Sequence, residues 1–411
     1  MLNLQIVMCA QIDDIRSEFP QLQEKVYGKP LVYLDNAATS LRPRSVVEKW
    51  TEAALKYNSN LHRAVHYMAQ RSTEEFENTR TYVAKAIGAL GKGKIVFTSG
   101  ATASLNLLAS SFGESQLQAG DEVLIAECEH HSDIVPWQMI CARKGASIKV
   151  LPVDERGYLR MDLLPELIKE GRTKIFCVAQ VSNVLGLVNP VKDIVNICHS
   201  KSCAVLVDGA QGIVHCGADV SSLGCDFYAF SGHKVYAAPG TGVLYISDEW
   251  ADRLPPYMGG GEMIQTVRWE GTTYAAAPQK FEAGTQNISS VPTLPVALEL
   301  SKSMKEDPRI KEFLLDEFSR RKDIRLFGDP LKPQDKIPLF SIAVEGVHHE
   351  DLALLLDKMG IAVRSGQMCA EPLMDRYGVT GMLRASFAPY NTFGEAEYFV
   401  SSLDRAVKML K

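Results

Sequence analysis

The segment "TKIFCVAQVSNVLGLVNPVKDIVNICHSKSCAVLVDGAQ", residues 173–211, decides the fold. It opens on an apolar, β-rich run and passes through a polar turn. It continues in "VKDIVNICHSKS" with apolar residues three and four apart, the spacing of a helix. It closes on a second apolar run, "AVLVDGAQ", that ends in a carboxylate, Asp208. Two apolar strands joined by a helix read as a parallel pair with a crossover. Runs without polar alternation read as strands covered on both faces. The same rhythm extends outward. Upstream lie "KIVFTSG", the helical "ATASLNLLASSFG", "DEVLIAE", the helical "SDIVPWQMICARKG", "SIKVLPV" and a helix over "MDLLPELIKE"; downstream follow "CDFYAFSGHK" and "GTGVLYIS". The chain is therefore expected to be α/β, with a mostly parallel sheet flanked by helices.

In such sheets ligands bind at the carboxyl ends of the strands. "TSGAT", "ECEHH", "QVSNVLG", "DGAQ" and "SGHK" all fall there, so five polar turns converge on one edge. From 251 to 290 the rhythm breaks into a long stretch rich in Gly and aromatics, read as a functional or interfacial loop. From about 291 the pattern becomes that of a smaller α+β domain. The expected organisation is an N-terminal segment, 1–28, packing with the small domain; a large domain, 29–290; and a small C-terminal domain, 291–411.

With 411 residues, 46% hydrophobic and 23% charged, the chain has the composition of a soluble globular protein of two or three domains. A net charge of -5 gives no reason to expect nucleic acid or an anionic membrane as partner. No run is long enough to span a membrane, and the N-terminal apolar patch lacks the basic flank of a signal peptide. Nine cysteines, an odd number without CxxC pairs, point to reduced thiols in a cytoplasmic protein and away from structural zinc.

Lys234 sits in "SGHKVYAAPGTG" (231–242), after the apolar strand "FYAF" and on the binding edge. A lysine drawn partly out of water loses basicity and becomes a nucleophilic amine, able to condense with a carbonyl. "SGATASLNLL" (99–108) places small and hydroxyl residues at a helix N-terminus, a ready anion site, with Ser99 the expected cap. It lacks the spacing of a nucleotide-binding loop. His130 brings a flat imidazole to another strand end. A strand-end carboxylate for a protonated pyridine, an anion site, an imidazole and a lysine together describe a site for pyridoxal 5'-phosphate.

These motifs, with "YLDNAATS", "LHRAVHYMAQRST", "FEAGTQN", "RSGQMCAEPLM" and "RASFAPYNT", resemble the class V aminotransferase family of fold-type I pyridoxal-phosphate enzymes, and within it the Suf-type cysteine desulfurases and selenocysteine lyases. The resemblance spans nearly the whole chain. It implies a seven-stranded large domain and a smaller α+β C-terminal domain. Lys234 would hold the cofactor covalently, Asp208 would pair with the pyridine nitrogen, Gln211 would contact the ring oxygen and His130 would stack on the ring. Thr102, Ser231 and His233 would bind the phosphate, joined by Thr285 from the second subunit of a homodimer. Asn183, Arg364 and Arg384 match positions that hold the substrate carboxylate or the cofactor, and His66 matches an active-site histidine. Arginine suits a carboxylate through its two parallel charge-assisted bonds.

Cys369 decides the reaction that the resemblance implies: its thiolate attacks the sulfur of L-cysteine, becomes a persulfide and leaves L-alanine. Relatives carry histidines just before this cysteine, where Gln367 and Met368 stand here, and a hydroxyl residue where Ala101 stands. The compact loop between Arg364 and Pro372 implies a sulfur-acceptor protein, in iron–sulfur cluster assembly. The alternative within the family is a selenocysteine lyase or cysteine-sulfinate lyase, whose better leaving group makes Cys369 less essential. Outside it stand a scaffold that lost its chemistry and a zinc protein using His62, His66, His130 and His131.

Overall fold

Seven apolar runs become the strands of the central sheet: β1 (Lys94–Thr98), β2 (Glu122–Ala126), β3 (Ser147–Leu151), β4 (Thr173–Ala179), β5 (Ala204–Asp208), β6 (Phe227–Ser231) and β7 (Gly242–Ile246). They are seen in a computed structural model that describes residues 12–411. The order across the sheet is β1-β7-β6-β5-β4-β2-β3. Only β7 runs against the others. Every residue of β2, β5, β6 and β7 is buried, which is why these strands are continuously apolar in sequence.

Helices α1 (Ala101–Gln116) and α2 (His131–Lys144) cover one face. Leu105, Leu108, Phe112 and Trp137 form a core there with Leu244. Their close approach depends on Gly113, where an added Cβ would lie 2.2 Å from Ile140 Cγ1. Phe76, Val83, Leu294 and Leu298 pack with Phe176 and Phe230 in the core of the other face. The α1 N-terminus comes close to the sheet because Gly100 and Gly242 meet without side chains: a Cβ on Gly242 would stand 2.4 Å from the Gly100 Cα.

The C-terminal part is a four-stranded antiparallel sheet in the order Ile324–Phe327, Leu339–Val344, Met382–Ser386, Arg364–Gly366. Its core holds Ile310, Phe340, Leu383, Phe399 and Leu403, joined by Val32 and Leu34 from the N-terminal part. Val32–Tyr33 pairs in parallel with Ile361–Ala362, and Arg16 Nη1 donates to Tyr390 O at 2.7 Å. The last helix, Phe393–Leu410, begins with a reciprocal cap between Thr392 and Glu395.

Val291, Leu294, Leu298 and Met304 pack with the first core, and Ile310 with the core of the C-terminal part. Two expectations change. The stretch 251–290 is not all loop: Ile264–Arg268 and Gly271–Tyr274 form an antiparallel hairpin. The helix expected over "MDLLPELIKE" is one turn, Leu164–Leu167, with Pro165 in its first turn. Residues 1–11, with Cys9, lie outside the described residues.

Candidate active site

The turns after β1, β2, β4, β5 and β6 enclose a cleft of about 400 Å³ beneath the small domain. Thr102, His130, Asn183, Asp208, Ser231, His233, Lys234, Arg364, Cys369 and Arg384 all line it. Lys234 ends the short turn Gly232–Lys234 that follows β6. It keeps part of its surface open to the cleft, where a carbonyl would reach it. Burial lowers its pKa first; Asp208 opposes that shift and Arg384 adds to it.

Asp208 ends β5 with its carboxylate fixed, Oδ1 accepting from Ala210 N at 2.8 Å. His130 is the residue before α2, and its Nδ1 accepts from Ser132 N at 3.0 Å, which leaves the ring proton on Nε2. Burial, then the Lys234 charge, lowers the His130 pKa to about 4. A neutral flat ring is suited to stacking on an aromatic ligand.

The anion end differs from expectation in its cap. Gly100, not Ser99, precedes α1, and the Ala101 N–H is met by Ser231 Oγ at 2.8 Å. Two later first-turn N–H groups have no intrahelical acceptor and carry the positive end of the helix dipole. Thr102 Oγ1 lies 2.8 Å from Ser132 Oγ, and His233 Nδ1 lies 3.1 Å from Thr39 Oγ1. Burial and the Lys234 charge lower the His233 pKa to about 4, so it meets an anion as a neutral donor.

At the opposite side, Arg384 is 3% exposed, and burial lowers its pKa. Its Nη2 lies 3.2 Å from Asp35 Oδ1 and its Nη1 donates to Asn183 O at 2.9 Å, while Nε is buried without a partner. Arg364 Nη1 approaches the same carboxylate, 3.7 Å from Asp35 Oδ2. Two guanidiniums sharing one carboxylate leave a net positive charge facing the cleft, which suits a substrate carboxylate. Nothing in the sequence spacing of Asp35 marks it as a partner of residues 329 and 349 positions downstream.

Cys369 is exposed at the mouth of the cleft, whereas Cys128, Cys141, Cys177, Cys198, Cys203 and Cys225 are buried. Met368 and Cys369 both hold left-handed backbone, φ 53° and 56°. Such conformations cost about 1–2 kcal/mol each outside glycine. Asn183 Nδ2 donates to Met368 O at 2.9 Å, so this asparagine touches the cysteine turn as well as Arg384.

Three expected site residues lie elsewhere. Gln211 is buried beside the cleft, its Nε2 donating to Ala37 O at 2.8 Å. His66 caps the helix Tyr67–Ala86 at the surface, and Thr285 is exposed on a loop. Among the described residues no cluster of three or more His, Cys, Asp or Glu has the geometry for a metal, so His62, His66, His130 and His131 do not form the alternative zinc site.

The donors fit pyridoxal phosphate: an accessible amine of lowered pKa, a fixed carboxylate, a neutral imidazole and a helix N-terminus with hydroxyls, in one cleft. One pH effect follows in the cofactor-free protein. The folded state holds His130 near 4 against an ordinary 6.5, so between those values only the unfolded chain takes the proton. Stability should therefore fall as pH drops from about 6.5 to about 4, and His130→Phe should flatten that slope in urea-unfolding midpoints.

Comparison with known proteins agrees with this geometry. The family model "Aminotransferase class-V" matches residues 32–399. The chain is 41% identical over 409 residues to a probable cysteine desulfurase of Vibrio cholerae, covering 98% of this chain and all of that one. It is 42% identical to a cysteine desulfurase of Cronobacter sakazakii over 98% of this chain and all of that one. Its structure resembles the cysteine desulfurase CsdA of Escherichia coli in the S-sulfonic acid form, with TM-score 0.87, 39% identity, and 97% and 99% of the two chains covered.

Proposed function

Because this chain belongs to the class-V aminotransferase family and is a cysteine desulfurase, we propose that it converts L-cysteine to L-alanine using pyridoxal 5'-phosphate held by Lys234, with the sulfur left as a persulfide on Cys369. The observation that carries this reading is the shared cleft of Lys234, Asp208, Arg384 and Cys369.

Pyridoxal phosphate, when bound, supplies an electron sink for the charge that develops at the substrate Cα. Asp208 would hold the pyridine nitrogen, His130 the ring face, and Ser231, Thr102 and His233 the phosphate. Arg384, Arg364 and Asn183 would orient the substrate carboxylate. Lys234, of lowered basicity, takes the Cα proton and later returns one. The Cys369 thiolate attacks the substrate sulfur; the S–S bond forms, the C–S bond breaks, and the electron pair passes to Cβ, which is protonated. The balance is cysteine plus enzyme thiol to alanine plus enzyme persulfide. A thiol of an acceptor protein then takes the outer sulfur for iron–sulfur cluster assembly.

A homodimer completes the site in this reading. Segments 62–68 and 257–274 adjoin, with Arg63 Nη2 to Ile264 O at 3.5 Å and Arg63 Nε to Glu262 Oε1 at 3.5 Å. They leave Val65, Tyr67, Met68, Val267, Trp269 and Tyr274 exposed, more apolar surface than a monomer keeps without purpose. His66 and Thr285 lie beside that face, which a second copy would cover, bringing them to its cleft. The double variant Tyr67→Glu, Trp269→Glu should sediment as a monomer and lose turnover by about tenfold or more, since losing site residues costs at least one hydrogen-bond energy at the transition state. No helix among the described residues is long and apolar enough to cross a membrane, and we place the protein in the cytoplasm on its free thiols.

The reading is tested by assaying alanine and sulfide from L-cysteine, with and without a reductant, alongside selenocysteine. Equal alanine and sulfide with reductant supports it; alanine only from selenocysteine assigns the lyase alternative.

A further inference from the structure

Taking Cys369 as the sulfur nucleophile, we propose that His131 is the positioning residue that holds the Cys369 turn docked over the cleft. His131 is the first residue of α2, next to the ring-stacking His130, and it grips the turn twice. Its backbone N–H donates to Cys369 O at 2.7 Å. Its imidazole Nε2 accepts from Glu371 N at 2.9 Å. The two contacts straddle Ala370 and close a short ring through the Cys369 carbonyl and the Glu371 amide. Asn183 Nδ2 supplies a third bond, to Met368 O.

The turn needs such fixing. Met368 and Cys369 are consecutive residues at positive φ without being glycine, and they follow the end of the strand Arg364–Gly366, whose ladder stops at the Gly366–Met382 pair. Within the turn, Ala370 N donates to Gln367 O at 3.0 Å and Gln367 Nε2 to Glu371 Oε1 at 3.0 Å. Neither bond ties the turn to the cleft. A left-handed pair of non-glycine residues relaxes unless its surroundings hold it, and the surrounding donors and acceptors come from His131 and Asn183. Asn183 is also placed to meet the substrate carboxylate, so its hold on Met368 competes with substrate. His131 has no such second duty: it keeps the thiol aimed while Asn183 changes partner. The imidazole acts as an acceptor at Nε2, a role that leucine cannot fill and the side-chain oxygen of glutamine can.

The test compares holoenzyme with His131→Leu and His131→Gln by hydrogen–deuterium exchange of the 366–373 peptide and by steady-state cysteine turnover. His131→Leu should expose the Glu371 amide to exchange at least about tenfold faster and lower kcat about five- to tenfold with KM little changed, the worth of one hydrogen bond. His131→Gln should restore both. Because leucine beside His130 can disturb the ring pocket, Glu371→Pro removes the same bond from the donor side, at a first-turn helix position where proline is tolerated. It should lower kcat equally, with Glu371→Ala as its control. Parental exchange in His131→Leu, or parental kcat in Glu371→Pro, overturns the proposal. A parent enzyme lacking Cys369-dependent turnover would instead overturn the desulfurase reading, while the exchange measurement still reports on the clamp.

Discussion

Cys369→Ala is expected to lower cysteine turnover by on the order of a thousandfold or more, the effect of deleting a nucleophile, while turnover of selenocysteine is retained. The asymmetry has a chemical cause. With cysteine, the C–S bond breaks only as a thiolate takes the sulfur, and Cys369 is the exposed thiol in the cleft. Selenium leaves carbon more readily, so the remaining residues suffice. A thiol supplied from solution cannot substitute fully, because it lacks the proximity that the docked turn provides. Full cysteine activity in the alanine variant would show that the sulfur departs by another route. Among the described residues the other exposed thiol, Cys216, does not line the cleft.

Lys234→Ala should have an effect as large, about ten-thousandfold on kcat, the upper end for loss of a general base. Burial lowers the Lys234 pKa, so the amine is free at lower pH than an ordinary lysine. In the proposed function the substitution also removes the anchor for the cofactor. Treatment of the parent with borohydride should bleach its yellow colour and leave a pyridoxyl group covalently on the peptide containing Lys234, and the variant should retain no pyridoxyl group after denaturation. Methylamine, small enough to enter the cleft, should restore part of the turnover. A pyridoxyl group retained by the denatured, borohydride-treated alanine variant would place the attachment at another lysine.

What could be read in advance followed from burial. Strands covered on both faces are continuously apolar, so β2, β5, β6 and β7 were visible as runs, while the edge strand β3, of which only Leu151 is buried, followed from the strand–helix rhythm; the polar strand ends located Asp208, Ser231 and Lys234. The hairpin at 264–274 was not, because its strands are largely exposed and rich in Thr and Gly. Ser99 was the natural cap by adjacency, yet the acceptor for Ala101 is Ser231, brought in from β6 by the antiparallel β7 between them. Asp35 binds Arg384 across the molecule through the pairing of the N-terminal strand with the small domain, a contact with no local signature. The clamp on Cys369 likewise uses backbone groups, which every residue carries and no sequence pattern marks.

The most direct measurement is mass spectrometry of the Cys369 peptide after holoenzyme is mixed with L-cysteine without reductant. One added sulfur atom on Cys369, formed in step with one equivalent of alanine and absent from the seven other described cysteines, is the expected result. Alanine released while the Cys369 peptide stays unmodified, with sulfide appearing directly in solution, would contradict it.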